Sequence, residues 1–174
     1  MRFDAFSALT DIRRRWPIEN GKILQLLLAI SFDRRRGGYS VISRLSEGVD
    51  LEMTSDASKF AVEVKTTEDS QVSLEEKDIT GLRAKAADGY VPAVAALRLQ
   101  LSENWVIADI SNFDRFPPGS YAPLRLSRDS IPDLDSSAKR HFGQVVVEFR
   151  DRVLSPPGGR PLDYLERVLC EESR

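Results

Sequence analysis

Cysteine is nearly absent from this sequence: Cys170 stands alone among 174 residues. One thiol excludes an intrachain disulfide framework and every zinc module built on paired cysteines, and it suits a reducing, cytoplasmic compartment. Histidine is as scarce. His141 alone rules out a multi-histidine metal centre and disfavours a Ser-His-Asp arrangement. Charge of one sign does not dominate, since 25 Lys and Arg stand against 27 Asp and Glu. A nucleic-acid partner would therefore have to meet local basic clusters, not a basic surface. Long apolar runs are missing too. The longest, Ile23–Phe32, is bounded by Lys22 and Asp33, contains Gln25, and is too short to span a bilayer. The N-terminal stretch mixes acids and bases and shows no signal-peptide pattern. There is no internal repeat and no low-complexity tract. The length suits one domain with room for a small appendage.

Against that background Gly48–Thr66 carries the most information. It reads as two strands, Gly48–Thr54 and Lys59–Lys65, joined by the polar turn Ser55-Asp56-Ala57-Ser58. Both alternate with period two. Val49, Leu51 and Met53 fall on one face of the first strand, and Phe60, Val62 and Val64 on one face of the second. Asp50, Glu52, Ala61, Glu63 and Lys65 fall on the other face. A turn centred between Asp56 and Ala57 sets Asp50 opposite Glu63, with Cβ atoms about 5 Å apart. Opposed carboxylates repel, and a divalent cation with oxygen ligands would justify them. Lys65, on the same face, can orient or deprotonate a water, or neutralise charge developing on a phosphate. A hairpin with one apolar and one charged face is also how an ordinary wet sheet reads. The two readings part on two points. A metal site fails if helices cover the charged face or if Asp50 and Glu63 do not converge.

Asp50, followed thirteen residues on by Glu63-Val64-Lys65, resembles the motif of the PD-(D/E)xK nuclease superfamily, with Val49 where that family's proline would stand. The longer segment EVKTTEDSQVSLEEKDITGLRAKAADGYVPAVAALRLQLSENWVIADI is similar to the core of archaeal-type Holliday junction resolvases and of some restriction endonucleases. The resemblance covers Ile18–Ile110. It implies a restriction endonuclease-like α/β fold, a central mixed sheet flanked by helices. It implies a DNA endonuclease that binds Mg²⁺, with Mn²⁺ able to substitute. Asp50 and Glu63 would hold the ion together with the Glu63 or Val64 carbonyl, and Lys65 would act on the attacking water. A first helix in that family brings an acid towards the metal. Glu19 is the candidate here and Gln25 the alternative, while Glu19 also suits a plain helix N-terminus. Gln71 is a further possible site residue, and the Thr66 hydroxyl can reach a phosphate. The resolvase reading implies a homodimer acting in recombination or repair. A restriction, defence or repair nuclease on duplex DNA, or a silent nucleic-acid-binding or assembly module on the same fold, are the alternatives.

Met1–Arg15 reads as an amphipathic helix ended by Trp16-Pro17. Ile18–Arg34 reads as a helix apolar over most of its circumference, hence buried. Arg13–Arg15 and Arg34-Arg35-Arg36 flank it and make a phosphate-facing edge plausible. Tyr39–Leu45 reads as a strand with Val41 and Leu45 inward, and with Arg44 or Ser46 able to face the site. Ser73 with Glu76 has capping-box spacing before a helix over Leu74–Asp88, stopped by Gly89. Tyr90–Leu101 and Trp105–Ile110 read as strands, the first apolar on both faces. Ser111–Asp135 reads as an irregular connection. Asp135–Leu154 and Leu162–Glu172 read as helices beyond the compact core, and His141 reads as trim on the first of them.

Overall fold

The computed structural model describes residues 3–45, 48–99 and 105–172. Helices α1 (Phe3–Arg15) and α2 (Asn20–Phe32) come first. Between them Trp16 precedes Pro17, and the ring of the proline disfavours helical geometry at the residue before it. From Ile23 to Phe32 every residue of α2 is buried, which fits a helix apolar on all sides. The expected start at Ile18 is two residues early, and that side chain is 97% exposed.

Strands β1 (Ser40–Ser43), β2 (Leu51–Thr54) and β3 (Lys59–Thr67) follow, then β4 (Val72–Leu74), helix α3 (Glu76–Ala87), β5 (Val91–Arg98) and β6 (Val106–Asp109). The main sheet has five strands in the order β1-β2-β3-β5-β6. β1 and β2 pair antiparallel, as do β2 and β3, whereas β3 and β5 are parallel and β5 and β6 antiparallel. This is the mixed sheet that a hairpin feeding a crossover through α3 requires. The end of the expected strand at Gln100 and Leu101 lies outside the described residues, as does Ser46.

The segment expected to be irregular is built instead. It carries β7 (Gly119–Tyr121), the single turn α4 (Pro123–Leu126) and two 3-10 turns, and β7 pairs with β4 as a second, two-stranded sheet. Three-residue strands are too short to show a period in sequence, which is why they escape a reading of periodicity. Helices α5 (Pro132–Leu154) and α6 (Pro161–Glu172) close the chain, each with proline in its first turn, where the missing N–H costs nothing.

Two hydrophobic layers sandwich the sheet. Leu51, Met53, Phe60, Val62, Ala93, Ala95 and Ile107 point towards α1, α2, α5 and α6. Ala61, Val94, Ala96 and Ala108 point the other way, towards Ile79 and Leu82 of α3 and towards the small sheet. Both faces are therefore covered over most of their area. Among the described residues no helix is long and apolar enough to cross a membrane.

Candidate active site

The β2–β3 register pairs Leu51 with Val62 and Thr54 with Lys59, and one more step sets Asp50 beside Glu63. Asp50 lies just ahead of β2, and the chain reaches it through Gly48, whose φ of +84° is a left-handed conformation that favours glycine. The bend moves Val49 off the Leu51 and Met53 face. It packs with Ala61 and Ile79 in the opposite layer, so the expected alternation holds only from Asp50 onward.

At this end of the hairpin the polar groups converge. The Val64 N–H donates to Asp50 Oδ2 at 2.7 Å. Lys65 Nζ bridges two carboxylates, Glu63 Oε1 at 2.9 Å and Asp78 Oδ2 at 2.7 Å. Asp78, at the third position of α3, also accepts the Glu75 N–H at 2.8 Å. Beneath the hairpin, Gln25 of α2 is buried, and its Nε2 lies 2.9 Å from the Arg44 carbonyl and 3.1 Å from both the Asp50 carbonyl and Ser43 Oγ. An amide has two hydrogens for these three acceptors, so the group is fully used. It anchors the backbone of Asp50 and does not meet the Asp50 carboxylate.

The acids differ in how their charge is met. Glu52, buried between Arg44 Nε at 2.9 Å and Lys85 Nζ at 3.0 Å, is opposed by burial but held below the usual range by those two cations. Glu63 is not so served. Burial and then the charge of Asp50 push it up to about 8, against the pull of Lys65. Asp50 is raised as well, chiefly by burial, while the Val64 N–H and Lys65 work the other way. Burial also opposes the charges of Lys65 and Asp78. Their mutual contact, with Glu63 for the lysine and the Glu75 N–H for the aspartate, leaves the ammonium above its ordinary value and the carboxyl below. Burial and mutual repulsion thus favour a proton on this coupled pair of acids.

The two conditions separating a metal site from a wet sheet come out differently. Helix α3 does cover much of the charged face, burying Glu52 and Ala61. Asp50 and Glu63 nevertheless converge, and they do so at the edge of that cover. A cleft of about 820 Å³ opens there, walled by Arg44, Leu45 and Gly48 on one side and by the first turns of α3 on the other, with Asp50, Glu63 and Lys65 at its base. The face is neither an ordinary wet sheet nor sealed.

The other sequence candidates lie elsewhere. Glu19 immediately precedes α2 and is not part of the cleft lining, although its Oε2 is buried without a hydrogen-bond partner. Thr66 follows Lys65 and so faces the opposite side, where its Oγ1 would stand 3.7 Å from a Cβ placed on Gly21 of α2. Gln71 is exposed just before β4. Arg34, Arg35 and Arg36 occupy the turn ahead of β1, at the Thr54–Lys59 end of the hairpin. Four residues of β3, about 13 Å, separate that end from Glu63. The turn is also tied into the fold. Asp33 Oδ1 accepts the N–H groups of Arg35 and Arg36, and the Arg36 guanidinium bridges Asp33 and Glu148. His141 is half-buried on α5, held below its ordinary value by burial and by Arg140 and Arg36.

Asp78 is the site residue that sequence reasoning missed. The signal was present as Glu75-x-x-Asp78, a second capping spacing two residues beyond Ser73. Ser73 belongs to β4, and the helix starts at Glu76, not Leu74.

Among the described residues no group of three or more His, Cys, Asp and Glu side chains is disposed as a metal cage. Asp50 and Glu63 still suit Mg²⁺ or Mn²⁺, since Mg²⁺ keeps several waters and takes only one or two carboxylates along with substrate phosphates. Their mutual repulsion in a half-dry wall is what a divalent cation would relieve. Replacing Gln25 by Glu is expected to cost at least about 2 kcal/mol in urea unfolding at pH 7, because two of its three neighbours are carbonyl oxygens. An unchanged midpoint would contradict the acceptor set described for Gln25.

No family model and no curated protein matches the chain. Among solved structures it is similar to Hjc, a Holliday junction resolvase of Archaeoglobus fulgidus. The two are 15% identical, with a TM-score of 0.47, over 57% of this chain and 89% of that one. The chemistry of the cleft therefore rests on its own residues.

Proposed function

We propose that the chain is a divalent-metal-dependent endodeoxyribonuclease that hydrolyses phosphodiester bonds, selective for branched DNA in the manner of a Holliday junction resolvase and acting as a homodimer. The observation that carries the hydrolytic reading is the convergence of Asp50, Glu63 and Lys65 at the base of an open cleft, with Glu63 pushed to about 8. A buried acid that shares its one lysine with Asp78 and stands beside a second acid is costly for a fold and suits a site that gains from binding a cation. The branched substrate and the dimer rest on the sequence resemblance.

Asp50 and Glu63 would hold Mg²⁺ or Mn²⁺, with the Val64 carbonyl as a further ligand. Once bound, the ion would polarise the scissile phosphate and offset charge on the leaving oxygen. Lys65, an ammonium beside Glu63, would hold a water or a phosphate oxygen and stabilise the negative charge that builds up. Arg44, on the cleft rim with about half its side chain exposed, is placed to meet the backbone of the nucleic acid.

The test is cleavage of a labelled panel with Mg²⁺ or Mn²⁺: four-way junction, linear duplex, flap and single strand, with Lys65→Ala and Asp50→Asn beside the unaltered chain. Junction cutting lost in both variants is the expected result. Cutting of linear duplex at fixed sites would move the substrate to that of a restriction-type enzyme. Metal-dependent DNA binding without cutting would make the chain a binding module. Cutting unchanged by either substitution would remove this cleft from the reaction.

A further inference from the structure

We infer that Asp78 is the positioning residue for Lys65, fixing the direction of the one ammonium N–H that remains for a water or a phosphate oxygen. What that N–H acts upon rests on the nuclease reading above.

An ammonium has three donors in a near-tetrahedral array. In Lys65 one goes to Glu63 Oε1 at 2.9 Å and one to Asp78 Oδ2 at 2.7 Å, both within the range of charge-assisted bonds. With two directions set, the third follows. A lysine on its own is a point charge on a flexible four-carbon stem and holds no direction. Here the direction comes from Asp78, and Asp78 is itself fixed. It is 6% exposed, lies between Lys77 and the fully buried Ile79 in the first turn of α3, and the same Oδ2 that meets Lys65 accepts the Glu75 N–H at 2.8 Å. The side chain thereby ties the lysine to the start of a helix whose first turn walls the cleft. Glu63 supplies the other direction through Oε1 alone, and its second oxygen remains to meet a cation.

The competing role for Asp78 is that of a helix cap and nothing more. Asp78→Asn separates the two, since the amide oxygen can still accept the Glu75 N–H while the charge that meets Lys65 is gone. In single-turnover cleavage by the full chain, Asp78→Asn is expected to slow the chemical step about 10- to 100-fold with DNA affinity within about twofold. The double variant with Lys65→Ala is expected to be no slower than Lys65→Ala alone, the mark of residues acting as a unit. A second arm needs no activity. Acetylation of lysines by an N-hydroxysuccinimide ester, followed by peptide mass spectrometry, is expected to show Lys65 reacting at least about fivefold faster in Asp78→Asn, with exposed Lys22 unchanged. Full cleavage rate in Asp78→Asn, additive losses in the double variant, or unchanged Lys65 reactivity would each overturn the inference. If the unaltered chain cuts no DNA, the nuclease reading falls, and faster Lys65 acetylation alone would still sustain the positioning role.

Discussion

The metal-free protein is expected to lose stability as the pH rises from 5 to 9, and Glu63→Gln is expected to remove most of that loss. Glu63 has a folded-state value of about 8, raised from 4.5 by burial and by Asp50. A carboxyl raised in this way binds its proton more tightly when folded than when unfolded. Its contribution is complete below the unfolded value and is lost as the pH climbs through about 8. The slope cannot exceed about 1.4 kcal/mol per pH unit for one group. A fall of roughly 5–10 °C in the thermal midpoint is expected across the window for a chain of this size. Other groups titrate differently. Asp78 and Glu52 are held below their ordinary values, so their contribution grows with pH and is complete by about pH 5. His141, held down, also adds stability as the pH rises through its ordinary range. Lys65, raised above 10.5, stays charged throughout. Asp50 and Asp135, both raised chiefly by burial, share the sign of Glu63 but are present in both proteins. The difference between the unaltered chain and Glu63→Gln therefore isolates the acid. Parallel pH profiles for the two would mean that Glu63 is ionised in the folded protein, and the strained pair would not exist.

That pair was legible in the sequence because a hairpin has few degrees of freedom. Alternation fixed the faces of Leu51, Met53, Phe60 and Val62, and the turn residues fixed the register, so the approach of Asp50 to Glu63 followed from counting. Helix α2 was legible for a similar reason, being apolar on every side. What failed did so where a longer-range contact decided the outcome. Val49 left its expected face because Gly48 turns the chain, and Ala61 and α3 offered a second apolar layer. Arg34–Arg36 read as a free basic edge, yet Asp33 and a glutamate more than a hundred positions away, Glu148, engage the turn. Asp78 was not singled out at all, lying inside the helix expected over Leu74–Asp88. Only the packing of α3 over β3 brings it to Lys65, and no local pattern announces a contact made across a crossover. The contrast between Glu52 and Glu63 was equally hidden. Both are buried acids of one hairpin face, but Arg44 and Lys85 reach one and not the other.

Asp50→Asn is expected to push stability and activity in opposite directions, and this is the sharpest separation of a site from a merely charged surface. The amide oxygen of Asn can accept the Val64 N–H that Asp50 now takes at 2.7 Å, so the local backbone keeps its partner. The like charge that raises Glu63 is gone. Glu63 should then ionise nearer its ordinary range, and the metal-free variant should melt a few degrees higher than the unaltered chain at pH 8. The same change removes half of the paired carboxylate. Mn²⁺ binding, followed by paramagnetic relaxation of water protons, should weaken about a hundredfold, and cleavage should fall about a thousandfold. Below pH 8 the unaltered chain should also release close to one proton for each Mn²⁺ bound, because Glu63 must ionise to serve as a ligand, whereas Asp50→Asn should release less. An ordinary structural acid behaves otherwise. Removing its charge would lower stability or leave it unchanged, and Mn²⁺ would be indifferent to the substitution. A variant that is more stable, binds the cation poorly and cuts nothing would show that the fold tolerates the strain of Asp50 beside Glu63 for the sake of what the cleft binds.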